Sequence, residues 1–307
     1  MKYNWSIIGH EKQLGALEHD LATGGLAHAY LLAGPNSVGK MTVAKKLAGI
    51  LQCENDFCHD CAACRQVQVG SHADTVEMLD DGESIKIAEV RGLIERANMT
   101  GRSRYKVFLI QSVERMTPEA ANSFLKVLEE PPERTIFVLT TNDIKSLLPT
   151  VVSRVRVVKF HPFCVDFLKK KLHELHPDVA DETLEKVSLL AMGKSGKALS
   201  LIERPEVLAE YMELYHAVQN FLNTGSIYDR FAFVEDVLAG EHRLSWFLEI
   251  MTNVVRTKML EAEGGRESEK YVQLLGKIDD SARQLKRNVN SRLALENLML
   301  NLCGPIS

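Results

Sequence analysis

The sequence predicts a parallel α/β domain over its first half and a helical region over its second, on three observations. Short apolar runs, Ala29-Tyr-Leu-Leu-Ala33, Val107-Phe-Leu-Ile110 and Ile136-Phe-Val-Leu-Thr140, are bounded by turn or polar residues, the pattern of strands covered on both faces. Amphipathic helical segments separate them, and strand alternating with helix builds a parallel sheet with helices on both faces. From Phe163 onward only helical periodicity is found.

The elements follow in order. The first strand runs into a glycine-rich turn, and a helical segment follows Gly39. A further helix is expected over Pro118 to Glu130: Thr117 can cap its N-terminus, Pro118 suits the first helical position, and Pro131-Pro132 ends it. The character changes near His161-Pro162. A short helical block then ends around Leu201-Ile202, and a longer one runs from Pro205 to Leu302, broken at Asn223 to Ser226, at Gly240 and at Gly264-Gly265. The expected division is a P-loop domain over 1–161 with a cysteine module at 53–64, a helical lid over 162–204 and a helical C-terminal domain over 205–307. At 307 residues, a single hydrophobic core usually gives way to several units.

With 45% hydrophobic and 25% charged residues, the chain reads as ordinary globular protein and not as a disordered one. Its first residues lack the apolar core of a signal peptide, and no stretch approaches the ~18 apolar residues of a membrane span, so a cytoplasmic location without membrane contact is expected. The formal net charge of −4 gives no global basic field to hold nucleic acid alone. Any work on DNA is therefore expected within an assembly. Six cysteines without a secretory signal point to metal or free thiols, not to a disulfide framework.

Gly34-Pro-Asn-Ser-Val-Gly39-Lys40-Met41 follows a predicted strand and opens a predicted helix, which is the context of a phosphate-binding P-loop. Gly34, Asn36, Ser37 and Gly39 would curl backbone N–H groups around phosphate, and Lys40 would reach its outer oxygens. The plain alternative is a chance glycine-rich turn. Position 41, where Ser or Thr would hold Mg²⁺, is Met; Thr42 comes one residue late and should face elsewhere. The strand ending at Ile110 should lead into an acidic pair for metal and water, yet Gln111-Ser112 follow. Glu114 lies beyond the strand end and reads as a solvated helix residue. With these oxygens missing together, neither Mg²⁺ nor hydrolysis is expected, while ATP or ADP binding without turnover stays open.

Cys53, Cys58, Cys61 and Cys64 form C-x4-C-x2-C-x2-C, a spacing at which four thiolates converge on one tetrahedral Zn²⁺ with no open position. Such a closed site is structural. Buried free thiols or a redox pair are the alternatives, and His59 and His72 are near enough to replace a cysteine. Cys164 and Cys303 are isolated and read as plain thiols.

Several segments together resemble a known family. They are His28-Ala-Tyr-Leu-Leu-Ala-Gly-Pro35, the four cysteines after the P-loop helix, Gly70-Ser-His-Ala-Asp74, Ala121-Asn-Ser-Phe-Leu-Lys-Val-Leu-Glu-Glu-Pro-Pro132, Ser153-Arg154 and Leu285-Lys-Arg-Asn-Val-Asn-Ser-Arg-Leu-Ala-Leu-Glu296. In this order, over nearly the whole chain, they resemble the clamp-loader branch of the AAA+ ATPases. The resemblance implies an AAA+ domain, a lid and a C-terminal collar that oligomerises. Hydrolysing gamma/tau subunits keep the Walker A hydroxyl and the acidic Walker B pair; this chain keeps neither, and so resembles the non-hydrolysing delta prime subunits of DNA polymerase III.

The same resemblance implies that Arg154 is an arginine finger, inserted into a neighbouring subunit's ATP site. Val155 departs from the Ser-Arg-Cys motif, Arg156 is a rival, and a surface ion pair is the plain reading of Arg154. Lys197 lies near the family's sensor-2 region or is simply solvated, and Thr141-Asn142 resembles sensor 1. Implied partners are gamma/tau and delta subunits and, through the complex, the sliding clamp and primed DNA, making the chain a component of a DNA-directed DNA polymerase. Two other readings stay open: an active gamma/tau-like ATPase, and a zinc-dependent DNA-binding regulator.

Overall fold

The structure, a computed structural model, describes residues 2–55, 57–223, 227–240, 243–262, 265–286 and 290–300. The expected helix breaks at 224–226 and at Gly264, residues 287–289 of the last motif, Leu302 and Cys303 lie outside the described residues. The chain divides into two compact units: Met1–Leu175 with Gly193–Lys197, and His176–Met192 with Ala198–Ser307.

The first unit is built on a five-stranded, all-parallel sheet of order β2-β3-β4-β1-β5, comprising β1 (Ala29–Ala33), β2 (Thr75–Met78), β3 (Lys106–Ile110), β4 (Thr135–Thr141) and β5 (Arg156–Lys159). The three expected strands are the central ones, and alternation explains their unbroken apolar composition. Tyr30, Leu32, Val107, Leu109, Ile136 and Val138 enter one core with α1 (Glu11–Thr23) and α2 (Lys40–Gln52). Their sequence neighbours Leu31, Phe108, Ile110, Phe137 and Leu139 enter the opposite core. That second core is covered by α4 (Ile87–Asn98) and α5 (Pro118–Glu129); the short α3 (Ala62–Gln68) lies in the cysteine module between α2 and β2. Burying each such side chain contributes about 1.5–3 kcal/mol, so both faces need apolar residues. The cap and stop of α5 are as expected, with Thr117 Oγ1 accepting from the Ala120 N–H.

Strands β2 and β5 give no apolar run because they are the sheet's edges. Glu77 sits in one and exposed Arg156 and Lys159 in the other, and charges at edges discourage pairing with other chains. A four-residue helix, α6 (Pro149–Val152), precedes β5, and α7 (Val165–Leu175) follows it.

Within the described residues everything after α7 is helical: α8 (Asp181–Ala191), α9 (Ser195–Glu203, whose first turn belongs to the first unit), α10 (Pro205–Asn223), α11 (Ile227–Leu238), α12 (Arg243–Glu261), α13 (Arg266–Lys286) and α14 (Ser291–Leu300). The second unit buries Leu214, Val218, Phe247, Ile250, Val255 and Leu295, with the Tyr211 hydroxyl donating to Glu249 at 3.0 Å. Among the described residues, no helix is long and apolar enough to cross a membrane.

Candidate functional site

The P-loop joins β1 to α2 at the C-terminal edge of the sheet, where open α/β folds place ligands. Its shape is set by glycine. Gly34 adopts φ +156° with the Phe160 carbonyl where a Cβ would stand, and Gly39 adopts φ +95° as α2 begins. Gly34 N–H donates to Thr141 O at 3.1 Å, tying the loop to β4. On its other side Gly196 N–H donates to Ser37 O at 2.8 Å, so close that a Cβ at Gly196 would collide with that oxygen. Buried His10 reaches Val38 O through Nε2 at 3.0 Å. Asn36 and Ser37 are exposed at the loop's tip.

Lys40 is only 7% exposed. Its Nζ donates to Gly34 O at 2.5 Å, Pro35 O at 2.6 Å and Asn142 Oδ1 at 2.9 Å, using all three ammonium donors inside the protein. Burial drives its pKa from 10.5 down to about 8; the Glu114 carboxylate opposes the shift and Lys194 adds to it.

Met41, in the first turn of α2, packs on the core, and Thr42 is exposed. Gln111 Oε1 accepts from Asp80 N–H, and buried Ser112 donates its N–H to Thr140 Oγ1 at 3.2 Å. Glu114 corrects the sequence reading. It is half-buried and not a fully solvated helix residue: it lies in a single 3₁₀ turn, Val113–Arg115. There Oε1 accepts from Asn142 N–H at 3.0 Å, and Oε2 is buried without a hydrogen-bond partner. Asn142, the residue resembling sensor 1, thus joins Lys40 to Glu114. The contact of Glu114 with Asn142, the influence of Lys194 on Lys40 and the Gly196 contact were not legible in the sequence, because a tight turn and a distant loop bring them to the P-loop.

The four cysteine Sγ atoms all lie within 4.8 Å of one another. Cys53 Sγ is 3.8 Å from that of Cys58 and 3.9 Å from that of Cys61. Zn–S bonds of about 2.3 Å set tetrahedral sulfurs about 3.8 Å apart, so the group fits a metal such as zinc. Backbone N–H groups of Asn55 and Cys58 point at Cys53 Sγ, that of Cys61 at Cys58 and that of Cys64 at Cys61, all at 3.3–3.4 Å. Burial works against ionising Cys53, but the Cys58 and Asn55 donors outweigh it and hold that thiol down to about 7. The cluster needs neither histidine. His72 Nδ1 is engaged by Asp74 N–H and Thr75 Oγ1, each at 3.3 Å, while the His59 ring lies against Phe57 with centroids 4.0 Å apart. Cys164 is an exposed free thiol.

Arg154 follows α6 and its side chain is 35% exposed. One guanidinium nitrogen meets Glu129 Oε1 at 2.7 Å, and the other donates to Thr150 O at 2.9 Å. Arg156 is bound differently: it pairs at 2.6 Å with Asp20, whose carboxylate is buried and also accepts from the Tyr30 hydroxyl at 2.9 Å. Burial raises that hydroxyl's pKa to about 12. Lys197 is half-buried in the first turn of α9.

Known proteins are similar to this chain. The chain is 33% identical over 211 residues to DNA polymerase III subunit gamma of Buchnera aphidicola, covering 66% of this chain and 58% of that protein. It is 32% identical over 229 residues to subunit tau of Escherichia coli, covering 71% and 35% respectively. It is 37% identical over 153 residues to subunit delta' of Bacillus subtilis, covering 48% and 46%. The chain thus spans from about a third to under two thirds of these relatives. A solved gamma subunit-related protein of Thermotoga maritima shares the fold, with TM-score 0.51, 23% identity and coverage of 93% of this chain and 98% of that one. The family model described as DNA polymerase III, delta subunit matches residues 9–164, which is 156 of 307 residues. On that match the chain belongs to the DNA polymerase III delta-subunit family.

Proposed function

We propose that the chain is a clamp-loader subunit of DNA polymerase III of the delta prime kind, one that holds its P-loop closed and hydrolyses nothing itself. The observation that carries this reading is the use of Lys40. Its three donors are spent on Gly34, Pro35 and Asn142, while Met41 lacks the Walker hydroxyl and Gln111 and Ser112 stand where hydrolysis needs carboxylates. A triphosphate would have to displace these internal bonds and still find no metal ligand from the Walker positions.

In this reading residues 1–161 are the AAA+ domain, 162–204 the lid and 205–307 the collar that joins gamma/tau and delta subunits. The assembly opens the sliding clamp on primed DNA with ATP hydrolysed elsewhere. Cys53, Cys58, Cys61 and Cys64 hold structural Zn²⁺, which orders the segment between α2 and β2 and supplies no step of a reaction. Arg154 leaves Glu129 for a neighbour's ATP, where a guanidinium stabilises charge on the transferring phosphoryl group, an effect of about 10³–10⁵ in rate in other phosphoryl-transfer enzymes. Arg156 is unsuited to that move because its partner is a buried carboxylate.

The test is reconstitution with gamma/tau, delta, clamp and primed DNA. The isolated chain should hydrolyse no ATP, and Arg154→Ala should lower DNA-stimulated hydrolysis at least ~10-fold with the complex intact. Unchanged hydrolysis in an intact complex would refute the finger role. A second reading, a gamma/tau-like ATPase, is favoured by the names of the gamma and tau relatives at 32–33% identity. It requires turnover by the lone chain that Lys40→Ala abolishes.

A further inference from the structure

A cavity of about 690 Å³ opens on the first unit, between the N-terminal segment, the end of α2, the cysteine module and the loop before β3. Its volume lies within the range of small-molecule sites, and no P-loop residue lines it. The chemistry of its wall is specific. Asp74 accepts the backbone N–H groups of Arg102 at 2.8 Å and Ser103 at 2.6 Å. This carboxylate fixes the 102–105 loop through its main chain, and neither guanidinium in that loop has an acidic partner among the described residues. Arg102 and Arg104 are both exposed, and the Arg104 guanidinium lies 5.3 Å from the Tyr105 ring centroid.

Tyr3 is a second aromatic residue of the lining. Glu18 accepts from Tyr3 N–H at 3.1 Å and Trp5 Nε1 at 2.9 Å, holding Tyr3 at the cavity with Lys2 Nζ 5.1 Å from its ring centroid. Gln52, also in the lining, is 8% exposed. Its Nε2 donates to Tyr105 O at 2.9 Å and Thr75 Oγ1 at 3.1 Å, while Oε1 is buried without a partner. The wall therefore combines two guanidinium groups without an acidic partner among the described residues and two aromatic rings. Aromatic faces beside free guanidinium groups suit a stacked base with its phosphate.

We propose that this cavity binds a nucleotide unit, its base packed against Tyr105 and Tyr3 and its phosphate held by Arg102 and Arg104. The unit is drawn from single-stranded nucleic acid or from a free mononucleotide. The site stands apart from the P-loop and from the non-hydrolysing role, so it survives if the lone chain proves to hydrolyse ATP. The test uses the full zinc-loaded chain and a fluorescent thymidylate oligomer of ~12 nucleotides, followed by anisotropy between about 50 and 200 mM salt. Salt-sensitive binding is expected. Arg102→Gln with Arg104→Gln should weaken it about tenfold or more and reduce the log–log salt slope by about 0.7, the share of the one phosphate that the two arginines hold on a single strand.

Unlabelled thymidine monophosphate that displaces the oligomer identifies a mononucleotide site; displacement only by unlabelled oligomer identifies a strand site. Photo-crosslinking with an iodouracil-substituted oligomer should mark Tyr105 or Tyr3 in the unaltered chain. No binding by the unaltered chain, equal binding by the double variant, or crosslinks confined to residues outside the cavity would each overturn the proposal.

Discussion

The P-loop and the cysteine module follow one another in the chain and keep opposite halves of what a site requires. The P-loop keeps its backbone: Gly34 and Gly39 adopt positive φ, Val38 is buried, and Met41 packs on the core. What it lacks is a hydroxyl at position 41, which is Met, and carboxylates at positions 111 and 112, which are Gln and Ser. The module keeps every sulfur but has little scaffold. Cys64 and Val67 are its buried residues, and Phe57 and His59 both sit at φ +65°. A side chain in that region costs roughly 1–3 kcal/mol and persists only where surroundings enforce it. A loop wedged between strand ends can retain its shape after its chemistry has gone, because packing holds it. A ligand cluster cannot, because the ligands are the packing.

That contrast is broken most directly at the cysteines. Cys61→Ser with Cys64→Ser should remove the bound metal, from about one zinc per chain to none by elemental analysis. It should also open 53–64 to proteolysis, since structural zinc contributes apparent energies of about 10–16 kcal/mol in small zinc peptides. A variant that keeps its metal, or a fully reduced metal-free chain that resists protease in this segment, would mean the module is held by something other than its sulfurs.

The P-loop side is sharpened at Lys40. Lys40→Met strands the Gly34 and Pro35 carbonyls, and leaving buried polar groups unpaired costs about 1–3 kcal/mol, so the nucleotide-free chain should melt earlier. In a loop awaiting phosphate, the same change would cost the free protein little. The pH dependence has a definite sign. The folded pKa of about 8 lies below the usual 10.5, so from pH 8 to 10.5 the unfolded chain binds the proton and the folded chain does not. The charged amine's burial penalty is fully present below pH 8 and is relieved as pH rises through that window. Relative to Lys40→Met, the unaltered chain should therefore gain stability across it in denaturant titrations. A gap that narrows instead would show Lys40 to be better stabilised as a cation than its surroundings imply.

What the sequence made legible divides along the same line. The central strands could be read because both faces are buried, so Phe108 and Leu109 must both be apolar although they point oppositely. The edges β2 and β5 could not, since one side of each lacks a neighbouring strand and Glu77, Arg156 and Lys159 are tolerated there. The cysteines and the P-loop were legible because their ligating or turning atoms are close in sequence. Glu114 was not: its solvated reading was reasonable for a residue four positions past a strand, and only a 3₁₀ turn brings it to Asn142. Nor was the difference between Arg154 and Arg156, two residues apart and chemically identical. It lies in Asp20 and Glu129, carboxylates more than 100 and more than 20 residues away in the sequence.

That difference gives the finest test. Arg156→Ala leaves Asp20, only 2% exposed, with the Tyr30 hydroxyl as its remaining side-chain hydrogen-bond partner, and a buried charge short of a partner costs about 1–3 kcal/mol. Arg154→Ala removes a partly exposed pair with Glu129, an interaction whose usual worth is about 0–1 kcal/mol. Thermal melts of the two variants should therefore separate clearly, with Arg156→Ala the lower and Arg154→Ala close to the unaltered chain. A residue that must leave its partner to reach a neighbouring subunit needs a weak bond at home. Equal and large losses for both variants would mean that Arg154 is as firmly anchored as Arg156, and would remove the physical basis for preferring it as the mobile one.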